Sequence, residues 1–433
     1  MTTVHKHVLD NGLTVLLKPL HHAPLISWRV MYRVGSRNEQ TGGTGLSHWL
    51  EHMMFKGTPT FPGGQLDRMI DREGGYWNAH TFIDFTGYYE TMPADRIDLA
   101  LRLEADRMVN AQFDADEVES ERTVIISERQ GAENSPTFWL GEEVTAAAFR
   151  VHPYRHEVLG DMADLHTITR DDLYGYYKRH YMPNNAVAVA VGDFDPDVML
   201  ARVRALYEVI PPGTDPRPVA RQEPAQVGER RVRIERPGDT AYVTVAYKAP
   251  RAIDPDWFPL AVLESVLGGP SVMGGGSIDG KTSRLYRALV LSELAAGVDA
   301  SLIPTIDPYL FEFSLTLREG RTHAEVEAAL DAELERVRRE AISQAELEKA
   351  IKQARALFAY STESVSGQAF WLAFSEIFAD YGWFEGFVER LSAVTVADVR
   401  AAAEKYLDPR QRTVGWYIPT GDGDLIEHGE ASA

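Results

Sequence analysis

Apolar positions along the chain fall into short runs with the two-residue rhythm of strands and longer stretches with the three-to-four-residue rhythm of helices. The segment His5 to Leu17 places Asn11-Gly12 between apolar residues, which predicts a hairpin. Residues 26–34 and 241–248 predict a matching pair of strands. After the Gly74-Gly75 turn, residues 76–89 predict strands rich in aromatic and β-branched side chains. Residues 116–129 are polar apart from Val118, Val124, Ile125 and Ile126, a pattern that predicts a helix with Glu121 and Glu128, two turns apart, on one face.

A larger pattern recurs. Residues 165–173 hold Thr169 as a helix N-cap with Asp172 three later, then run through the Pro183 stop into an apolar strand at 186–191. Residues 391–399 hold Thr395 and Asp398 in the same relation, and run through Pro409 into a strand at 413–418. This predicts an α+β fold of two similar domains, each a mostly antiparallel sheet with helices packed on one side. The domains are expected at 1–212 and 231–420, joined by a Pro-rich linker at 213–230 and followed by a frayed polar tail at 421–433.

Composition narrows the setting. Sixty-four acidic residues against 44 basic ones give a net charge of −20, the wrong sign for binding nucleic acid or an anionic membrane. Cysteine is absent, which excludes disulfides and thiolate metal ligands. No stretch approaches the length of a membrane span, and no cationic and apolar leader precedes the first hairpin. A cytoplasmic protein is expected, although a chain trimmed of a signal peptide for the periplasm would read the same.

The candidate chemistry lies in His48-Trp49-Leu50-Glu51-His52. On a helix, residues 48, 51 and 52 share one face, so two imidazoles can close on one metal with a carboxylate beside them. Two histidines fill half of a tetrahedral zinc shell. A third protein ligand must come from elsewhere while the fourth position stays open for water, and Glu128 is the candidate. The matching helix of the second copy, near residues 257–267, has no histidine, so one chain makes one metal site.

The order H-x-x-E-H, the later helix with Glu121 and Glu128, and the intervening Gly74-Gly75, Asn78-Ala79, Thr81, Asp84, Thr86 and Tyr88 together resemble the M16 (pitrilysin-like) zinc peptidases, the inverzincins. The resemblance implies a zinc metalloendopeptidase of the short two-domain kind, half of a clamshell. It implies that His48, His52 and Glu128 bind Zn²⁺, that Glu51 is the general base and that Glu121 is a supporting carboxylate. It also makes Asn78 and Ala79 the residues of an edge strand to which an extended peptide adds. Zinc in such a ligand set lowers the pKa of bound water towards about 7. Glu51 would take the proton of that water and deliver it to the departing amine.

The second half departs from the family pattern. Its Gly-rich segment, residues 268–280, is followed by Lys281-Thr282 and so meets the bare spacing of a phosphate-binding loop. The preceding 260–267 reads as an amphipathic helix rather than a buried strand, and a mobile loop over the substrate is the expectation that the family supplies. Active single-chain relatives carry an Arg and a Tyr directly after this loop. The aligned run 289–298, with Leu291 and Ala296 at about those places, has neither, and Arg284 and Arg287 are out of register. The resemblance therefore implies a partner: a homologous subunit that lacks zinc but carries the Arg-Tyr pair, with a homodimer as the alternative. Two further readings stay open, a non-catalytic core subunit of M16 type and a presequence-processing peptidase acting as a homodimer.

Overall fold

A computed structural model describes residues 3–214, 219, 221–272, 276–277 and 280–421. Most of the expected tail, parts of the expected linker and residues 273–275 and 278–279 of the Gly-rich loop lie outside the described residues.

The chain forms two compact units. The first gathers residues up to 131, 151–222 and 359–387; the second gathers 132–150, 223–358 and 388 onward. In the first, strands β1 (His5–Val8), β2 (Thr14–Pro19), β3 (Leu25–Tyr32), β4 (Tyr76–Thr81), β5 (Thr86–Pro93) and β6 (Ala186–Gly192) form one sheet in the order β1-β2-β6-β3-β5-β4. Only the β2–β6 pair is parallel. Strand β6 reads Ala-Val-Ala-Val-Ala-Val-Gly and is buried along its whole length. Alternation sends its alanines to one face. There they join Trp28, Val30 and Tyr32 of β3 and Trp49, Leu50 and Met53 of the Leu46–Met53 helix in one core.

Valines 187, 189 and 191 point to the opposite face, where the Val365–Phe378 helix lies across β3 and β6. Phe374 of that helix packs its ring 5.2 Å from Phe85, and Phe370 lies beneath the Arg29 guanidinium at 5.3 Å. Glu376 ties the helix down through its side chain to Lys6 and through its carbonyl, which accepts from Arg33 at 2.6 Å.

In the second unit, β7 (Arg230–Arg236), β8 (Tyr242–Lys248), β11 (Ala295–Leu302), β12 (Leu310–Leu317) and β13 (Arg412–Pro419) form a sheet in the order β11-β12-β8-β13-β7; β9 (Ser271–Val272) and β10 (Gly276–Ser277) make a small separate pair. Read from β7, the larger sheet repeats the first unit's order without β1, again with one parallel pair, β13–β7. The Pro136–Ala148 helix packs on β7, β8 and β13. Gly415 permits this close approach: a Cβ there would stand 2.3 Å from Val144 and 2.7 Å from Leu140.

The α+β architecture with two similar, mostly antiparallel sheets stands. The units are not contiguous as 1–212 and 231–420: the first also takes the Val365–Phe378 and Tyr381–Glu385 helices from the later half, and the second takes the Pro136–Ala148 helix from the earlier one. The physical reason is that β3, β6 and β13 bury side chains on both faces, so helices on one side leave an apolar face uncovered. The Trp257–Leu267 helix is present within its expected bounds, but all eleven residues are buried, so it is a core helix and not an amphipathic one. No helix among the described residues is long and apolar enough to cross a membrane.

Candidate metal centre

The Leu46–Met53 helix starts at Gly45, whose φ of 87° is a left-handed conformation that glycine adopts freely. No side chain at the N-cap itself bonds the first turn. Glu39 does so from six residues upstream, accepting from the backbone N–H of Gly45 at 2.8 Å and of Ser47 at 2.6 Å. Burial pushes the Glu39 carboxyl up to about 7 against the pull of these bonds. Asp164 fixes the preceding loop by accepting from the Thr44 N–H at 3.0 Å and hydroxyl at 2.7 Å. With its start held twice and Trp49, Leu50 and Met53 in the core, the helix turns His48, Glu51 and His52 along its other side.

The Ala115–Glu133 helix brings the acidic partners. Arg122 anchors it, donating to the Ile168 carbonyl at 2.7 Å and lying 4.7 Å above the Trp49 ring. Glu121 accepts from His52 Nδ1 at 2.7 Å and pairs with Lys56. Because Nδ1–H is spent on Glu121, Nε2 of His52 keeps its lone pair for a metal. One turn pair further on, Glu128 Oε2 stands 3.5 Å from His52 Nε2 and 3.6 Å from His48 Nε2.

Those separations are too long for good hydrogen bonds. They match the spacing of roughly 3.3–3.5 Å between neighbouring tetrahedral ligands that each lie about 2.0–2.2 Å from zinc. His48, His52 and Glu128 offer ligand atoms that all lie within 4.8 Å of one another, and 44 % of the Glu128 side chain is exposed, so the cluster faces solvent. A divalent ion fits this donor set.

The electrostatics agree with that role. Burial, helped by the charge of His52, pulls His48 down to about 4, so its imidazole is neutral at physiological pH. Burial would also lower His52, but the Glu121 hydrogen bond and the Glu128 charge override it and raise the group. The bond from His52, together with Lys56 and against the effect of burial, holds Glu121 down at about 2. Glu51 is raised by burial, with a hydrogen bond from Thr81 acting the other way.

Strand β4 borders the cluster and is an edge of its sheet, since only β5 pairs with it. Phe82 donates to the Phe85 carbonyl at the hairpin end, at 2.8 Å. Antiparallel alternation then directs the backbone groups of Thr81, Ala79 and Trp77 away from β5, onto the free edge. The Asn78 side chain covers one of them, accepting from the Ala79 N–H at 2.8 Å.

The structure thus brings together His48, Glu51, His52, Glu121 and Glu128, and sets Asn78 and Ala79 on the neighbouring edge strand. Sequence reasoning gave no role to Glu39, Lys56, Arg122 or Thr81. Thr81 is one position of the segment that resembles the family pattern, with nothing in its spacing that ties it to Glu51, and Glu39 belongs to no helical period that would point at the site. In the second unit Leu291 is 64 % exposed, and Ala296 lies in edge strand β11. Neither nearby arginine substitutes for a free donor there: Arg284 is bound by Glu346 at 2.7 and 2.9 Å, and Arg287 donates to the carbonyls of Ser283 and Thr282.

Comparisons with known proteins place the whole cluster inside one family match. Residues 14–162, which contain every residue of the cluster, match the family Insulinase (Peptidase family M16), and residues 167–354 match Peptidase M16 inactive domain. Zinc protease PqqE of Helicobacter pylori is 30 % identical over 417 residues, 94 % of this chain and 91 % of that protein. The probable mitochondrial-processing peptidase subunit beta of Arabidopsis thaliana is 30 % identical over 295 residues, 67 % of this chain and 55 % of that one. The crystal structure of a protease from Helicobacter pylori superposes with a TM-score of 0.91 at 27 % identity, covering 97 % of this chain and all of that one. This chain belongs to peptidase family M16.

Proposed function

We propose that the chain is a zinc metalloendopeptidase whose metal is held by His48, His52 and Glu128. The observation that carries the reading is the convergence of these three ligand atoms within 4.8 Å, with Glu51 on the same helix face. Zinc bound there would supply a Lewis acid for the scissile carbonyl and acidify a water. Glu51 takes the proton of the attacking water on a carboxylate oxygen and passes it to the departing amine nitrogen. Glu121 keeps His52 in the tautomer that presents Nε2, and Lys56 keeps Glu121 ionised. An extended peptide adds to the free edge of β4 through backbone groups such as those of Ala79, with the Asn78 side chain as a further contact. This mode of binding is indifferent to most side chains.

The missing Arg-Tyr pair, the exposed Leu291 in its place and the engaged Arg284 support a heterodimer, in which a homologous subunit without zinc closes the chamber and provides substrate-clamping donors. The test is to purify the chain alone and with a homologous subunit, and to measure zinc content and chelator-sensitive cleavage of an unstructured peptide. Zinc with cleavage only in the mixture supports the whole reading. Full activity of the chain alone removes the heterodimer, and absence of zinc removes the peptidase.

A further inference from the structure

Thr81 ends β4 and belongs to the series, with Trp77 and Ala79, whose backbone groups face the free edge. Its hydroxyl donates to Glu51 Oε2 at 2.6 Å, and stands 3.4 Å from both the Ser47 carbonyl and the Thr86 hydroxyl. The bond spans from the edge strand to the helix that carries the candidate base. It holds the carboxylate at one oxygen, Oε2.

The second unit ties the matching helix and strand through the main chain. There Glu264, on the Trp257–Leu267 helix, accepts a backbone N–H of the edge strand, that of Leu302 at 2.8 Å. That arrangement spends a main-chain donor of the strand. In the first unit the Thr81 hydroxyl adds a side-chain bond to the helix carboxylate, beside a backbone bond from the same residue.

We propose that Thr81 is a positioning residue that aims the Glu51 carboxylate from the peptide-binding strand, so that base and substrate share one reference. The inference rests on the reading of the site as a hydrolytic zinc centre. A glutamate has several rotatable bonds, and a base must be held to within a fraction of an ångström to act. Threonine at 81 is therefore worth more than its strand propensity.

The test uses the preparation that cleaves a fluorogenic unstructured peptide, the chain alone or with its homologous subunit, and compares wild type, Thr81→Val and Thr81→Ser. Valine keeps the shape and strand preference but removes the hydroxyl; serine restores the hydroxyl. Thr81→Val is expected to lower kcat between about 10- and 100-fold with KM and zinc content unchanged, and Thr81→Ser to recover kcat to within about 3-fold of wild type. Three results would overturn the inference: an unchanged kcat in Thr81→Val, a Thr81→Ser as impaired as the valine variant, or a zinc loss in Thr81→Val that accounts for the fall. A wild type with neither zinc nor cleavage overturns the underlying reading instead, and this inference with it.

Discussion

Two helices occupy the same place in two sheets of the same order, and only one can hold a metal. Leu46–Met53 buries Trp49, Leu50 and Met53 and turns His48, Glu51 and His52 the other way, whereas Trp257–Leu267 is buried on every side. Their starts differ too. The first is capped by the buried Glu39, raised to about 7, and the second begins beside Asp256, whose carboxyl is lowered by its bond to Lys405. The fold provides a helix against an edge strand twice, and only in the first unit is one stripe of that helix polar and answered by carboxylates from a second helix.

Substitutions can break this comparison at several strengths. The largest effect is expected from Glu51→Gln, which should lower kcat/KM by about 10²- to 10⁴-fold with zinc retained. Glu264→Gln, its counterpart, should leave both zinc content and cleavage at wild-type values. Equal losses in the two variants would show that the helix carboxylates serve the fold and not the reaction.

Next in size are the exchanged helices. Phe374→Ala and Leu140→Ala remove fully buried side chains and should cost about 3–5 and 2–5 kcal/mol respectively. Hydrogen exchange should rise in β3 and β6 for the first and in β7 and β13 for the second. The same protection loss in both variants would deny that each helix belongs to a separate unit.

A smaller change is expected from Glu121→Gln, which weakens the support of His52 and should reduce zinc affinity by about 10- to 100-fold, as read by competition with a chelator. An unaltered affinity would reduce Glu121 to a surface partner of Lys56.

The smallest effect concerns pH. Glu39 is raised in the fold from 4.5 to about 7, so its protonated form is favoured; its contribution to stability is full below about 4.5 and is lost as pH rises through 7. Asp256 is lowered below 3.8, so its contribution is present above that value and is lost only in acid. Between about pH 5 and 8, the melting temperature of wild type should therefore fall relative to Glu39→Gln by on the order of 2–4 °C, while its difference from Asp256→Asn stays flat. Parallel curves for wild type and Glu39→Gln would contradict a raised pKa for the buried carboxyl at the helix start.

Local signals carried much of the fold. Thr169 with Asp172 and Thr395 with Asp398 both form reciprocal capping boxes, and the Ala115–Glu133 helix contains the whole segment expected from Val118, Val124, Ile125 and Ile126. The spacing of His48, Glu51 and His52 was equally legible, because it depends only on helix geometry. The exchange of the Pro136–Ala148 and Val365–Phe378 helices was not, since periodicity reports that a helix has an apolar face and not which sheet receives it. The same limit made the Trp257–Leu267 helix look amphipathic: packing on all sides is a property of its neighbours. Glu39 and Thr81 act through single contacts across the fold, which leave no rhythm in the chain.

His48, His52 and Glu128 form the one such ligand cluster among the described residues, which gives one metal site per chain, built in the first unit. Zinc titration of the metal-free protein, followed by calorimetry, measures that count. Wild type and Glu51→Gln should each bind one equivalent tightly, and the His48→Ala, His52→Ala double variant and Glu128→Gln should lose that site or weaken it steeply. Tight binding of one zinc by the double variant, or none by wild type, would contradict the account.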